Sequence, residues 1–127
     1  MTRPRVLLVE DDRFLRRACE ASLRRHGFDV VSAVDGEEGL RLARAEPPAL
    51  LLLDMLMPKL TGLDVLRALR GDAATREVPV LILSNSSRQA DIDEARALGI
   101  VDYLVKANLS LDQLCDRITA LLGKTER

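Results

Sequence analysis

Aromatic residues and cysteines are scarce in this sequence. Tryptophan is absent, and one tyrosine and two phenylalanines bring the aromatic share to 2% of 127 residues. The core must therefore be built from Leu, Val, Ile and Ala. The two cysteines, Cys19 and Cys115, are far apart in apolar surroundings, where small buried thiols are more usual than a disulfide or a metal pair. This usage fits a protein of the reducing cytoplasm.

An excess of charge and a long hydrophobic run are also missing. The formal net charge is -1, which gives no general attraction for nucleic acid or for acidic membrane surfaces, so direct DNA binding is not expected. The apolar run Val6–Val9 ends at Glu10, which is too short for a signal peptide or a membrane span. We therefore expect a cytoplasmic protein without a membrane segment.

The composition that is present is that of an ordinary globular domain. Hydrophobic residues make up 47% and charged residues 31%, and no repeat, low-complexity tract or linker interrupts the chain. The length is close to the commonest domain size. We expect one domain over residues 1–127, with a flexible tail at 123–127 that is too short for an attached output module.

Apolar runs and helical patterns alternate five times along the chain. The predicted strands are Val6–Val9, Asp29–Ala33, the leucine run that ends at Asp54, Val78–Leu83 and Tyr103–Val105. The predicted helices are Arg13–His26, Gly36–Ala45, a third around Leu63–Leu69, a fourth around Ile92–Leu98 and a fifth at Leu111–Leu122. Such alternation indicates an α/β fold with a parallel sheet and helices on both faces.

Polar side chains follow the strands at the edge where ligands bind in such folds. In an open α/β sheet, that edge lies outside the carboxyl ends of the strands. The residues in question are Glu10, Asp11 and Asp12 after strand one, Asp54 at the end of strand three, Ser84 and Asn85 after strand four, and Lys106 after strand five. Singly, each has a simpler explanation, because Asp12 and the serine run can be caps and Lys106 a solvated cation. Together they predict a shared acidic crevice.

The energetics of that crevice call for a cation. Two carboxylates about 4 Å apart repel by roughly 4 kcal/mol at an effective dielectric constant near 20. Oxygen ligands without a His or Cys set suit Mg²⁺ or Mn²⁺ and disfavour zinc. With Lys106 as a second positive charge, this is the arrangement of a phosphoryl-transfer site. Asp54 would be the nucleophile that forms an acyl phosphate, and Ser84 would donate a hydrogen bond to a phosphate oxygen.

The chain resembles the receiver domain of two-component response regulators from Arg5 to Leu122. The resemblance is carried by four motifs in order: Leu8-Val9-Glu10-Asp11, Leu53-Asp54-Met55-Leu56-Met57-Pro58 with Gly62 four residues on, Leu83-Ser84, and Tyr103-Leu104-Val105-Lys106. It implies a flavodoxin-like, doubly wound, five-stranded parallel sheet of order 2-1-3-4-5. It also implies Mg²⁺ held by Asp11, Asp54 and the main-chain carbonyl of Leu56, with Glu10 acting through a metal-bound water. Asp12 falls outside this set and is left as a helix cap.

The resemblance further implies a signalling switch and not an enzyme. A histidine kinase or a histidine phosphotransfer protein would supply the phosphoryl group. Ser84 would then move toward the phosphate and Tyr103 would turn inward, changing the surface of helix four, strand five and helix five for an unknown output protein. We expect a monomer or a weak homodimer.

Three positions depart from the family's pattern. Ala107 follows Lys106 where the family usually has proline, and Asn85 follows Ser84 where a small residue is usual. Leu56, two residues after Asp54, is apolar, and we expect it to obstruct attacking water and lengthen the phosphorylated lifetime.

Two rival functions stay open at this stage. A phosphohydrolase of the haloacid dehalogenase type also uses an aspartyl nucleophile, but it needs a second Asp where Leu56 stands. A nucleotide-binding or structural flavodoxin-like module lacks support, because no Gly-rich phosphate loop follows the first strand. The arginines of the first helix are expected to form a solvated face, and His26 to sit at the end of that helix, where a cation suits the dipole.

Overall fold

The computed structural model describes residues 3–123, which form five strands and five α-helices in strict alternation. The strands are β1 (Arg5–Val9), β2 (Asp29–Ala33), β3 (Leu50–Asp54), β4 (Val80–Ser84) and β5 (Asp102–Val105). The helices are α1 (Arg13–Arg25), α2 (Gly36–Ala45), α3 (Gly62–Arg70), α4 (Gln89–Ala97) and α5 (Leu111–Leu122). A short 3₁₀ helix, Lys106–Asn108, connects β5 to α5.

All five strands pair in parallel in the order β2-β1-β3-β4-β5. This confirms the predicted doubly wound sheet. The order reverses between β1 and β3, which are neighbours in the sheet although α1, β2 and α2 separate them along the chain. A crevice opens at such a reversal, at the carboxyl ends of the strands.

Aliphatic side chains cover both faces of the sheet, as the shortage of aromatic residues predicts. Every residue of β3 and of β4 is buried, which is why these strands read as unbroken apolar runs. One core cluster packs the sheet against α2, α3 and α4, and the other packs it against α1 and α5. Cys19 and Cys115 are free and buried in the second cluster, so their predicted role as buried thiols is confirmed.

Local differences from the predicted elements lie at their ends. Strand β4 begins at Val80 and not at Val78, because the Val78 N–H donates to Thr75 in the turn after α3 and Pro79 has no N–H to give to the sheet. The 3₁₀ helix at Lys106 was not predicted. Of the expected flexible tail, only Gly123 falls within the described residues. Among the helices of residues 3–123, none combines the length and hydrophobicity that a membrane crossing requires.

Candidate functional site

Three carboxylates meet where β1 and β3 end. Glu10 and Asp11 directly follow β1, and Asp54 is the last residue of β3. Each has a carboxylate oxygen within 4.8 Å of the other two. Glu10 and Asp54 are only 2% and 5% exposed, whereas Asp11 is open to solvent. The parallel register of β1 and β3 therefore produces the predicted acidic crevice.

The ammonium group of Lys106 forms ion pairs with two of these carboxylates. The Lys106 Nζ lies 3.0 Å from a Glu10 oxygen and 3.5 Å from Asp54 Oδ2. Burial by itself would lower the pKa of Lys106, but the hydrogen bond to Glu10 and the charge of Asp54 outweigh it, so the pKa is raised above its ordinary value. Lys106 therefore stays cationic in the cleft.

Burial raises the pKa of both enclosed carboxyl groups. For Glu10 the loss of water outweighs the hydrogen bonds from the Asp12 N–H and from Lys106, and the Asp54 charge adds to the rise. For Asp54 the loss of water outweighs the charge of Lys106 and the hydrogen bond from the Leu56 N–H. One ammonium thus does not fully compensate three acids, and the site favours a further positive charge.

The donor set fits a hard divalent cation. An open cleft of about 280 Å³ is lined by Glu10, Asp11, Asp12, Asp54, Leu56, Asn85 and Lys106. Its clustered metal-ligating atoms are carboxylate oxygens, which suit Mg²⁺ or Mn²⁺. The Leu56 N–H donates to Asp54 Oδ1 at 3.2 Å. The Leu56 carbonyl as a metal ligand, and the water-mediated role of Glu10, remain predictions.

Ser84 and Tyr103 are both buried. Ser84 is fully buried at the end of β4. It is not among the described residues that line the cleft, and its Oγ accepts a hydrogen bond from the Ser86 N–H. Tyr103 is 8% exposed, and its hydroxyl donates to the Ser86 carbonyl at 2.9 Å. Tyr103 is thus already inward in this structure. Of the two polar residues predicted to join the crevice from the end of β4, Asn85 lines the cleft and Ser84 does not.

The first helix differs in part from the predicted solvated face. Asp12 is its N-cap, accepting the Leu15 N–H, as predicted. His26 ends the helix with Nδ1 2.8 Å from a main-chain carbonyl, also as predicted. Arg17, Arg24 and Arg25 are exposed as predicted, and Arg24 also donates to the Val30 carbonyl. The prediction is wrong for Arg16, which is half-buried and whose guanidinium group donates to two main-chain carbonyls. The sequence could not predict these contacts, because every residue carries a main-chain carbonyl and residue type does not indicate which carbonyl accepts a hydrogen bond.

The class of this domain is defined by a doubly wound parallel sheet with an acidic, magnesium-compatible cleft where the strand order reverses. Residues 6–119 match the family model described as the response regulator receiver domain. The chain belongs to this family. Receiver domains are phosphorylation-dependent switches of signal transduction and not classical enzymes.

Curated relatives and solved structures agree with this assignment. The chain is 43% identical over 124 residues to the transcriptional regulatory protein PrrA of Mycobacterium tuberculosis, covering 98% of the chain and 52% of PrrA. It is 36% identical over 124 residues to the DNA-binding dual master transcriptional regulator RpaA of Synechocystis, covering 98% and 51%. The chain thus spans about half the length of these relatives. The Vibrio cholerae chemotaxis protein CheY4 superposes with a TM-score of 0.87 at 26% identity, covering 95% of this chain and 100% of CheY4.

Proposed function

We propose that this chain is a receiver domain that accepts a phosphoryl group on Asp54, with Mg²⁺ or Mn²⁺ bound beside it. The donor would be a histidine kinase or a histidine phosphotransfer protein. The observation that carries the proposal is the position of Asp54: its carboxylate is at the cleft, with Lys106 Nζ 3.5 Å away and two further acids within 4.8 Å.

The chemistry follows from the groups around Asp54. A carboxylate oxygen attacks phosphorus, the phosphorus–nitrogen bond of the donor phosphohistidine breaks, and the leaving imidazole takes up a proton. A cation bound at these acids would supply positive charge to the phosphoryl oxygens. Lys106 offers a second positive charge from the β5 side, and the Leu56 N–H holds the Asp54 carboxylate in place. Glu10 and Asp11 would hold the cation.

Hydrogen bonds of Ser86 support a switch that connects Asp54 to β5. The Ser86 N–H donates to Ser84 Oγ, and the Ser86 carbonyl accepts the Tyr103 hydroxyl. An aspartyl phosphate would draw the Ser84 hydroxyl toward its oxygens, and the loop that carries Ser86 would follow. The changed surface would be that of α4, β5 and α5, read by a protein partner.

The immediate partners proposed here are proteins and not DNA. Two relatives are named as transcriptional regulators, one of them as DNA-binding, but the chain spans only about half of each. This half carries a net charge of -1, which gives it no general electrostatic attraction for DNA phosphates. Gel-shift titration of the purified chain should show no salt-sensitive binding to duplex DNA. We propose a monomer or weak homodimer in solution.

Incubation with acetyl phosphate and Mg²⁺ tests the proposal. Intact-protein mass spectrometry should show the addition of one phosphoryl group, which chelation of Mg²⁺ prevents. Asp54→Asn should abolish the addition, whereas the matched variant Asp12→Asn should retain it, because asparagine also caps a helix. Continuous release of phosphate without a phosphorylated species would indicate a phosphohydrolase instead, and no change would refute phosphoryl transfer.

A further inference from the structure

The turn between β1 and α1 is tied to α1 by an arginine side chain. Arg16 Nη1 donates to the main-chain carbonyl of Glu10 at 2.9 Å and to that of Asp11 at 3.3 Å. These carbonyls belong to two of the three clustered acids. A single guanidinium nitrogen therefore holds the backbone that presents both side chains to the cleft.

The position of Arg16 in α1 explains how its side chain reaches this turn. Helical side chains lean back toward the helix N-terminus, and Arg16 follows the Asp12 cap by one turn, with its own N–H bonded to the Asp12 carbonyl. The guanidinium group therefore lies over the turn that precedes the helix. The side chain of the next residue, Arg17, is exposed and makes no hydrogen bond or ion pair with residues 3–123.

The remaining bonds of the turn leave Asp11 dependent on Arg16. Glu10 is also fixed through its N–H to Ala33, through its carboxylate by the Asp12 N–H, and by Lys106. Within the described residues, the Asp11 carbonyl has no other hydrogen-bond partner, and the Asp11 side chain is exposed. The backbone at Asp11 is thus set chiefly by the guanidinium group.

We propose that Arg16 is a positioning residue for the divalent-cation site, holding the Glu10–Asp11 backbone so that both carboxylates face Asp54. This inference rests on the proposed function, because it assumes that Mg²⁺ binds these acids. Residues that orient metal ligands without touching the metal change affinity by about 10–100-fold when they are replaced. Arg16 acts in this way through main-chain carbonyls.

The positive charge of Arg16 allows a test based on the direction in which Mg²⁺ affinity changes. Removing any nearby positive charge makes the cleft more negative, which by Coulomb's law alone would tighten Mg²⁺ binding. Removing a positioning contact would weaken it. Arg16→Met and Arg17→Met delete the same charge at adjacent positions while keeping an unbranched apolar stem, but only the first deletes the contact to the turn.

Titration calorimetry of the full chain with MgCl₂ at constant ionic strength makes the comparison. R16M should bind Mg²⁺ about tenfold more weakly than the unchanged chain, whereas R17M should bind equally or slightly more tightly. The rate of phosphorylation by acetyl phosphate should need more Mg²⁺ for half-saturation in R16M and reach the same plateau. A purely structural role would instead lower the plateau through loss of folded protein.

Several outcomes would overturn the inference. Equal affinity in R16M and R17M would mean that the turn holds its shape without Arg16. An equal loss in both would mean that charge is what matters. If R16M is too unstable to titrate, Arg16→Lys keeps the charge but not the planar guanidinium group, and wild-type affinity in that variant would likewise refute the role. Absence of Mg²⁺ binding by the unchanged chain would refute the proposed function itself.

Discussion

Replacing the proposed phosphoacceptor should stabilise the protein when no divalent cation is present. In the ion-free cleft, Glu10 and Asp11 lie within 4.8 Å of Asp54, and at a dielectric constant near 20 each repels it by about 3.5 kcal/mol or more. The Lys106 ammonium at 3.5 Å attracts the Asp54 carboxylate by about 4.7 kcal/mol. Water screens the exposed Asp11, while burial of Asp54 adds a desolvation cost. These two effects act in opposite directions, so we take the difference between the two repulsions and the one attraction. The ionised Asp54 carboxylate therefore destabilises the folded protein by about 2 kcal/mol.

Asp54→Asn removes that penalty and keeps an oxygen for the Leu56 N–H. For a domain of this size, about 2 kcal/mol corresponds to a rise in melting temperature of about 8 °C, measurable by circular dichroism in EDTA at neutral pH. Mg²⁺ at a hundred times its dissociation constant should stabilise the unchanged protein by about 2.7 kcal/mol. The variant lacks one ligand, so the order of the two melting temperatures should reverse.

The stability that Asp54→Asn adds should increase with pH. Burial raises the pKa of Asp54 in the folded protein, so the fold binds that proton more readily than the unfolded chain, and the associated stability is lost as pH rises through the folded pKa. The advantage of D54N should therefore vanish below the ordinary pKa of aspartate and grow above it. Asp12→Asn, which removes a neighbouring exposed carboxylate, should change little. A variant less stable than the unchanged protein in EDTA at neutral pH would refute the reasoning.

Three further predictions concern residues around the cleft and in the core. Leu56 lines the cleft with 62% of its surface exposed, so Leu56→Asn should speed loss of the phosphoryl group severalfold in a phosphate-release assay; an unchanged lifetime would remove its shielding role. A Cβ at Gly62 would lie 2.5 Å from a main-chain oxygen of β3, so Gly62→Ala should cost about 1–3 kcal/mol in urea unfolding, unlike Gly71→Ala, whose nearest contact is 3.4 Å. Burial raises the pKa of Cys19 to about 12, so this thiol should react with a disulfide reagent at pH 8 only after unfolding; rapid native labelling would contradict its burial.

The sheet could be predicted closely from the sequence because burial on both faces forces continuous apolar runs. Strands β2 and β3 end at the predicted residues. The rule that ligands bind at the carboxyl edge predicted that Asp54 lies close to Glu10 and Lys106, which the structure shows. The misplaced start of β4 came from a loop valine that is buried, since apolar character alone does not distinguish a strand from a packed turn.

Contacts to the main chain were beyond reach of the sequence. Arg16 and Arg17 are identical in type and adjacent, yet only Arg16 meets the carbonyls of the turn, which depends on the rotation of α1 about its axis. The burial of Tyr103 against the Ser86 carbonyl also depends on the path of a loop. Residue type and spacing predict which groups share an edge of the sheet, whereas loop geometry decides which of them touch.

The most direct test of the account is to identify the residue that carries the phosphoryl group. Borohydride reduces an aspartyl phosphate to homoserine, and peptide mass spectrometry then locates the altered residue. After treatment with acetyl phosphate and Mg²⁺, the account predicts homoserine at position 54 and none when Mg²⁺ is chelated. Reduction at Asp11 or Asp12, or a phosphoryl group on any other side chain, would contradict it.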